Sequence, residues 1–385
     1  FERDPYWYRK ELELKMACSY GPGRYDLNYE EKGIDYPLPY VRWTEKRNME
    51  AFQNLIATKK IDIDYLTTHE FDFDNAKAAF DLVVSKTEPF TGIALKYNTE
   101  KTASKSKIAT EEAEQLGKIN ISFIGAGSYA QGNLLPNIPK NNAVARVGVL
   151  TNTGTTSKRV AEKFKFQFCA TKEADVLDDK TNTVFVATRH DSHGPYVLKS
   201  LKANKNVFVE KPLCLLESEL EAIIEAQSKA NKAVMVGFNR RFSPLTTKLK
   251  KAIGNNPMTM LYRINAGAIP GDNWIQDLEI GGGRVLGEVC HFIDYLTYLN
   301  GSLPVKISAT ALPNPNNLND TLNILIQFEN GSSGIVAYYA NGSKSMTKEY
   351  VEVFSAGQSA ILNDFKELKI YGKGKPKKTK ILNQN

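Results

Sequence analysis

The sequence predicts an α/β protein: a parallel-sheet domain, then an α+β domain whose open sheet is large and mostly antiparallel, with a small α/β segment in front. Three observations carry this. Between residues 119 and 242 short strand-like runs (ISFIG, ARVGVL, TVFVAT, NVFVE, AVMVGF) alternate with helical ones such as SKRVAEKF, PYVLKSLKAN and ESELEAIIEAQSKA. That alternation implies βαβ units and therefore a parallel sheet. From residue 243 the runs MTMLYRINAG, VKISATAL, TLNILIQFE, SGIVAYYA, KEYVEVFS and LKIYG come at hairpin spacing, around one helix, RVLGEVCHFIDYLTYL, as an antiparallel sheet would. Finally, the stretch YNTEKTASKSKIATEEAEQLGK has almost nothing apolar to bury and reads as a linker. The expected organisation is 1–98 as the leading segment, 99–118 as linker, 119–242 as the parallel-sheet domain and 243–385 as the α+β domain.

Within the leading segment, LELKMACSYG reads as a strand, RNMEAFQNLIATKKI as an amphipathic helix and FDFDNAKAAFDLVVSK as a second helix with an Asx cap. A chain of 385 residues exceeds one ordinary domain. With 42% hydrophobic and 24% charged residues it is unlike a disordered chain, and it lacks the uninterrupted apolar run that spans a bilayer. Part of the +7 charge lies in KIYGKGKPKKTK near the chain end, with no aromatic-interleaved basic stripe, so neither nucleic acid nor membrane is an expected partner. Cys18, Cys169, Cys214 and Cys290 lie far apart with no paired spacing. No disulfide framework or metal site is expected, and a reducing cytoplasm fits. FERDPYWYRK lacks the pattern of a signal peptide, and the chain reads as cut from something longer.

The stretch ISFIGAGSYAQGN is the first with chemistry in it. Gly125 permits a tight turn out of a strand, Gly127 lets backbone approach a pyrophosphate, and Ala130 fills the third small position, where helix packs on strand. With Ser128 and Tyr129 at the helix start, the free amides form an anion site. This is a Rossmann-type dinucleotide turn. At the end of the second strand, where an acid would bond the ribose hydroxyls of NAD, stand Thr151 and Asn152. The missing acid, with Ser157, Lys158 and Arg159 just downstream, leaves NAD or NADP open and tilts towards NADP.

NVFVEKPLC, GGGRVLGEVCHFID and TRHDSH, together with the turn, resemble the glucose-fructose oxidoreductase, inositol dehydrogenase and related dehydrogenases, the Gfo/Idh/MocA family. The resemblance covers roughly residues 118 to 375. It implies a Rossmann domain followed by an α+β domain whose open sheet serves homo-oligomerisation. It places Lys211 of Glu210-Lys211-Pro212 beside the nicotinamide and His291 at the acid/base position, and brings Thr188, Arg189, His193 and Glu210 near the cofactor. Such chemistry needs a group that takes the hydroxyl proton and one that stabilises developing alkoxide charge, roles that suit histidine and lysine. Many relatives carry an aspartate four residues before the histidine. Here Gly287 holds that position, and Glu288, an i,i+3 neighbour of His291, is the candidate to orient the imidazole. A regular helical projection of 284–299 puts Glu288, His291, Tyr295 and Tyr298 opposite the apolar stripe. Arg240 and Arg241 are candidates for an anionic substrate group; Tyr262, Asn265 and Tyr295 are candidates for the pocket wall.

The first 98 residues resemble the C-terminal part of medium-chain, zinc-type alcohol dehydrogenases, on the order of elements and the run IDYLTTHEFDFDNAKAAF. This implies a bacterial two-domain oxidoreductase, with the leading piece a remnant without its own cofactor turn or zinc ligands, and His69 structural. The expected function is NAD(P)-dependent oxidation of a secondary alcohol of a sugar, sugar derivative or cyclitol, in bacterial polysaccharide metabolism. The alternatives are a glycosidase-like enzyme that retains NAD and a non-catalytic cofactor-binding module.

Overall fold

The computed structural model describes the chain except residues 1–3, 5–6, 15, 17–19, 101–105, 111–115, 314–317 and 382–385. The chain forms two compact units, residues 1–103 and 104–385.

In the first unit β1 (Thr67–Asp72) and β2 (Gly92–Lys96) pair in parallel. The helix Ala76–Ser85 connects them and supplies Ala79 and Leu82, the unit's buried apolar residues among those described. The amphipathic helix runs Glu45–Ala57. The helix expected over 71–86 is shorter, because Thr67–Asp72 is a strand and Phe73–Asn75 a single 3-10 turn. The alternation of Thr, His and Phe in TTHEFD suits a pleated strand better than a helix. Asn75 precedes the helix, but its side chain makes no capping bond. Part of the strand expected over LELKMACSYG lies outside the described residues.

The second unit holds both larger sheets. The first has β3 (Lys107–Ala109), β4 (Ile119–Ile124), β5 (Val144–Leu150), β6 (Phe168–Ala170), β7 (Thr183–Val186), β8 (Asn206–Val209) and β9 (Val234–Val236) in the order β3-β6-β5-β4-β7-β8-β9. All neighbours are parallel except β3, which runs antiparallel to β6 along the edge. β3 corrects the reading of 99–118 as linker throughout. An edge strand is held by backbone bonds rather than by buried side chains, and Lys107 also reaches Asp178 at 2.7 Å, so polar composition concealed it. Phe123, Phe185 and Phe208 stack across β4, β7 and β8 with centroids 4.8 Å apart. Val160 and Ala161 cover one face of the sheet; Val197, Leu201 and Ile223 cover the other.

The second sheet comprises β10 (Thr259–Asn265), β11 (Pro304–Ala311), β12 (Thr321–Phe328), β13 (Ser333–Tyr339), β14 (Glu349–Ser355), β15 (Gln358–Asn363), β16 (Glu367–Tyr371) and β17 (Lys377–Lys380). Their order is β11-β12-β13-β10-β14-β15-β16-β17, antiparallel throughout except β10 with β13. Helices Pro244–Ile253 and Cys290–Asn300 lay Leu245, Leu249, Phe292, Leu296 and Leu299 on one face, against Tyr262, Ile326, Val336 and Val353. Ile307, Leu325, Ile335 and Phe354 on these strands remain exposed. The expected parallel-sheet domain and the large antiparallel sheet are thus both present, packed as one unit. No helix among the described residues is long and apolar enough to cross a membrane.

Candidate active site

Parallel strands β4, β7 and β8 end on the same edge of their sheet, and the loops leaving that edge carry the candidate residues. Ligands of open α/β sheets bind at this carboxyl edge.

After β4, Gly125 adopts φ +83° and donates its N–H to Leu150 at 2.8 Å. A Cβ there would stand 2.5 Å from the carbonyl oxygen of Ala187, so both the φ and the close approach require glycine. Gly127 is different. A Cβ there meets nothing within 4 Å, so this face is open to a ligand's approach. The chemistry of the turn fits a pyrophosphate, with Gly127, Ser128 and Tyr129 exposed beside it and Ala130 buried beneath. The expected helix starts at Ser128 but widens into a π turn, Ala130–Leu134, and then a 3-10 turn, Leu135–Asn137. Pro136, lacking an N–H, cannot continue a regular α-helix there. Burial and Glu210 raise the Tyr129 phenol above its ordinary pKa.

At the end of β5 the Thr151 N–H donates to Ser157 Oγ at 2.9 Å. Ser157 is fully buried and committed to this contact, which removes it as a nucleotide-phosphate ligand. Asn152, Lys158 and Arg159 are exposed.

The loop after β7 holds Thr188, Arg189 and His193. Thr188 Oγ1 accepts from Ser192 at 2.8 Å, and the exposed Arg189 guanidinium lies 5.6 Å from the Trp274 ring centre. His193 is buried and donates from Nδ1 to the Pro212 carbonyl at 2.7 Å, with Nε2 3.2 Å from the Thr188 carbonyl. It therefore ties two loops of the edge together rather than capping its helix. After β8, the half-buried Glu210 has its carboxyl pushed up to about 7 by burial, against the opposing pull of Lys211. Lys211 precedes Pro212 across a cis peptide, and its Nζ donates to the Gly287 carbonyl at 2.6 Å. That bond joins the β8 loop to the segment carrying His291.

This segment is not one regular helix: Val285–Val289 is a π turn and Cys290–Asn300 an α-helix. The expected apolar stripe is present, with Val289, Phe292 and Leu296 buried, but the opposite face is packed too. Tyr295, expected opposite the core, is fully buried and accepts from Thr246 at 3.3 Å. Glu288 does not orient His291. Arg284 Nε donates to its carboxylate at 3.0 Å and the Tyr338 hydroxyl at 2.7 Å, and despite burial these partners hold its pKa below the ordinary value. His291 is half-buried, with Nδ1 enclosed and unpartnered among the described residues, and Phe238 edge-on at 5.8 Å. Burial, then the charges of Lys211, Arg240 and Lys348, depress its pKa to about 3. This lies well below the ordinary histidine range, and the imidazole is uncharged at neutral pH.

The pocket-wall and anion candidates turn out to be engaged internally. Arg240 donates from Nη2 at 2.6 Å and Nε at 3.0 Å to the buried Glu349, which also accepts from the fully buried Tyr262 hydroxyl. Arg241 forks onto Asp294, with Nε at 2.6 Å. Asn265 is buried and donates to the Ser343 carbonyl at 2.6 Å. The residues around Arg240 and Arg241 cannot reveal this, because the acids that claim them lie 109 and 53 residues away.

One residue escaped the sequence reading: His190, inside TRHDSH, is buried, donates from Nδ1 to the Gly281 carbonyl at 2.8 Å and lies edge-on to Trp274 at 4.8 Å. Only the final histidine of that run matched a motif. Among the described residues no group of three or more His, Cys, Asp or Glu is placed to hold a metal ion.

Comparison with known proteins agrees with this architecture. Residues 119–238 match the domain described as oxidoreductase family, NAD-binding Rossmann fold, and residues 257–357 match the GFO/IDH/MocA C-terminal domain. Myo-inositol 2-dehydrogenase of Thermotoga maritima is 27% identical over 42% of this chain and 50% of its own length. Inositol 2-dehydrogenase of Rhizobium meliloti is 27% identical over 50% of this chain and 58% of its own length. The chain thus spans little more than half of these two relatives. The solved structure of levoglucosan dehydrogenase in complex with NADH and levoglucosan shares the fold, with TM-score 0.60, 22% identity and coverage of 68% of this chain and 80% of that one. Through its two matched domains, which together make up more than half of it, the chain belongs to the GFO/IDH/MocA oxidoreductase family.

Proposed function

We propose that this chain oxidises a secondary alcohol of a sugar, sugar derivative or cyclitol with NAD(P) as acceptor. The observation that carries the reading is the Lys211 ammonium, anchored on the Gly287 carbonyl one turn before His291, on the sheet edge that also bears the Gly125 turn. When bound, the nicotinamide supplies the hydride acceptor. An ammonium has three N–H groups; one of Lys211's goes to Gly287, which leaves two to meet the alcohol oxygen and stabilise charge developing there. His291, uncharged across the physiological range, has a free lone pair for the hydroxyl proton, and its lowered pKa makes it a weak base for that step. The substrate class follows the inositol and levoglucosan dehydrogenases among the similar proteins.

The description of the matched domain as NAD-binding supports NAD. The absence of an acid at Thr151 and Asn152, with Lys158 and Arg159 exposed nearby, supports acceptance of NADP. The exposed apolar residues of the large sheet, Ile307, Leu325, Ile335 and Phe354, support a homo-oligomer formed through it. A role in bacterial polysaccharide metabolism, a cytoplasmic location and the medium-chain alcohol dehydrogenase origin of residues 1–98 complete the reading. The test is reduced-nicotinamide absorbance on mixing the protein with NAD or NADP and a panel of cyclitols and sugars. Absorbance must rise with at least one member; no rise with any, despite bound nucleotide, refutes the dehydrogenase.

A further inference from the structure

His190 is a buried imidazole wedged between two loops. Its Nδ1 donates to the Gly281 carbonyl at 2.8 Å, and the next backbone N–H, of Asp191, donates to the Ile280 carbonyl at 3.0 Å. These two bonds fasten the β7 loop to the turn that leads into Val285–Val289. Beside Nδ1 on the same ring edge, Cε1 stands only 2.9 Å from where a Cβ on Gly287 would be. Residue 287 is the one whose carbonyl receives the Lys211 ammonium. The chain of contacts therefore runs from imidazole to Gly287 peptide to Lys211. Burial, chiefly, pushes His190 down to about 4, which keeps a second cation away from Lys211.

We propose that His190 is a positioning residue for Lys211: by bonding Gly281 and filling the space beside Gly287, its imidazole fixes where the Gly287 carbonyl stands and so where the ammonium is anchored. The consequence for turnover rests on the dehydrogenase reading; the anchoring itself does not. A side chain that moves the anchor by about an ångström is enough to cost on the order of 100-fold in rate.

Two readouts on the intact chain separate the cases. The first is the acylation rate of Lys211 by acetic anhydride, read by peptide mass spectrometry against the exposed Lys158 in the same sample. The second is kcat with the nucleotide Kd measured alongside. His190→Ala raises relative Lys211 acylation at least about five-fold and lowers kcat about 100-fold, with nucleotide Kd unchanged. His190→Asn, whose amide keeps a donor near the Nδ1 position, restores both. His190→Gln, which moves the donor away, behaves like the alanine variant and serves in its place should that one fail to fold. Unchanged Lys211 acylation in folded His190→Ala or His190→Gln overturns the proposal, whatever kcat does. If the wild type shows no turnover but Lys211 acylation responds as stated, the positioning role stands and the dehydrogenase reading falls.

Discussion

The ammonium of Lys211 and the carbonyl of Gly287 meet at 2.6 Å, and this bond ties the carboxyl edge of the parallel sheet to the π turn before His291. Gly287 owes its identity to the His190 ring, which leaves no room for a Cβ. Gly287→Ala is therefore expected to push the peptide away from the ring, costing about 1–3 kcal/mol of stability by overpacking and on the order of 100-fold in kcat through the displaced anchor. Urea midpoints and steady-state rates on the same preparation measure both; a stable variant with full activity contradicts the assignment.

The two glycines of the nucleotide turn predict different failures. Gly125→Ala forces a side chain onto φ +83° and against the Ala187 carbonyl, and is expected to lose about 1–3 kcal/mol of stability. Gly127→Ala meets no protein atom, so its thermal midpoint should stay at the wild-type value while NAD(H) affinity falls at least about ten-fold, its methyl occupying the pyrophosphate's approach. Calorimetry paired with nucleotide titration reads the contrast.

Stability should fall with acid because of His291. Its folded pKa, about 3, lies below the ordinary imidazole value of 6.5, so between those values the unfolded chain binds a proton that the folded chain does not. The contribution is lost as pH falls from 6.5 towards 3, amounting to about 1–2 kcal/mol by pH 5. His291→Asn removes this proton uptake. The difference in urea midpoint between pH 7 and pH 5 should shrink in the variant, and an unaltered difference excludes a buried neutral imidazole.

Arg240, Glu349 and Tyr262 form a buried network, so losing one member strands another. Arg240→Met is expected to destabilise the fold by about 3–5 kcal/mol, because the Glu349 carboxylate loses its counter-charge. Tyr262→Phe should cost about 1–2 kcal/mol. A guanidinium that bound substrate would instead raise KM with stability unchanged, and chemical denaturation beside kinetics distinguishes the two.

The contrast between legible and hidden features has physical causes. The turn at Gly125 and Gly127 was readable because phosphate approach and backbone handedness dictate residue type locally. Strand and helix alternation from Ile119 onward was readable for the same reason. What escaped depends on partners distant in sequence. Glu288 has the spacing to reach His291, but Tyr338, fifty residues on, claims it along with Arg284. Tyr295 lies opposite the apolar stripe, as the helical period says, but Thr246, Tyr262 and Phe365, all distant in sequence, bury that face as well. Lys107–Ala109 was hidden because an edge strand needs little apolar surface.

Nucleotide held at the Gly125 turn is expected to be reduced with help from Lys211. Rapid mixing of the NAD(P)-loaded protein with cyclitols and sugars, following reduced-nicotinamide absorbance in a single turnover, tests it most directly. The wild type should reduce its nucleotide with at least one member of the panel, and Lys211→Met should bind nucleotide equally but react at least about 1,000-fold more slowly. Equal rates in the two proteins, or no nucleotide binding by the wild type, exclude this role for Lys211 and the turn.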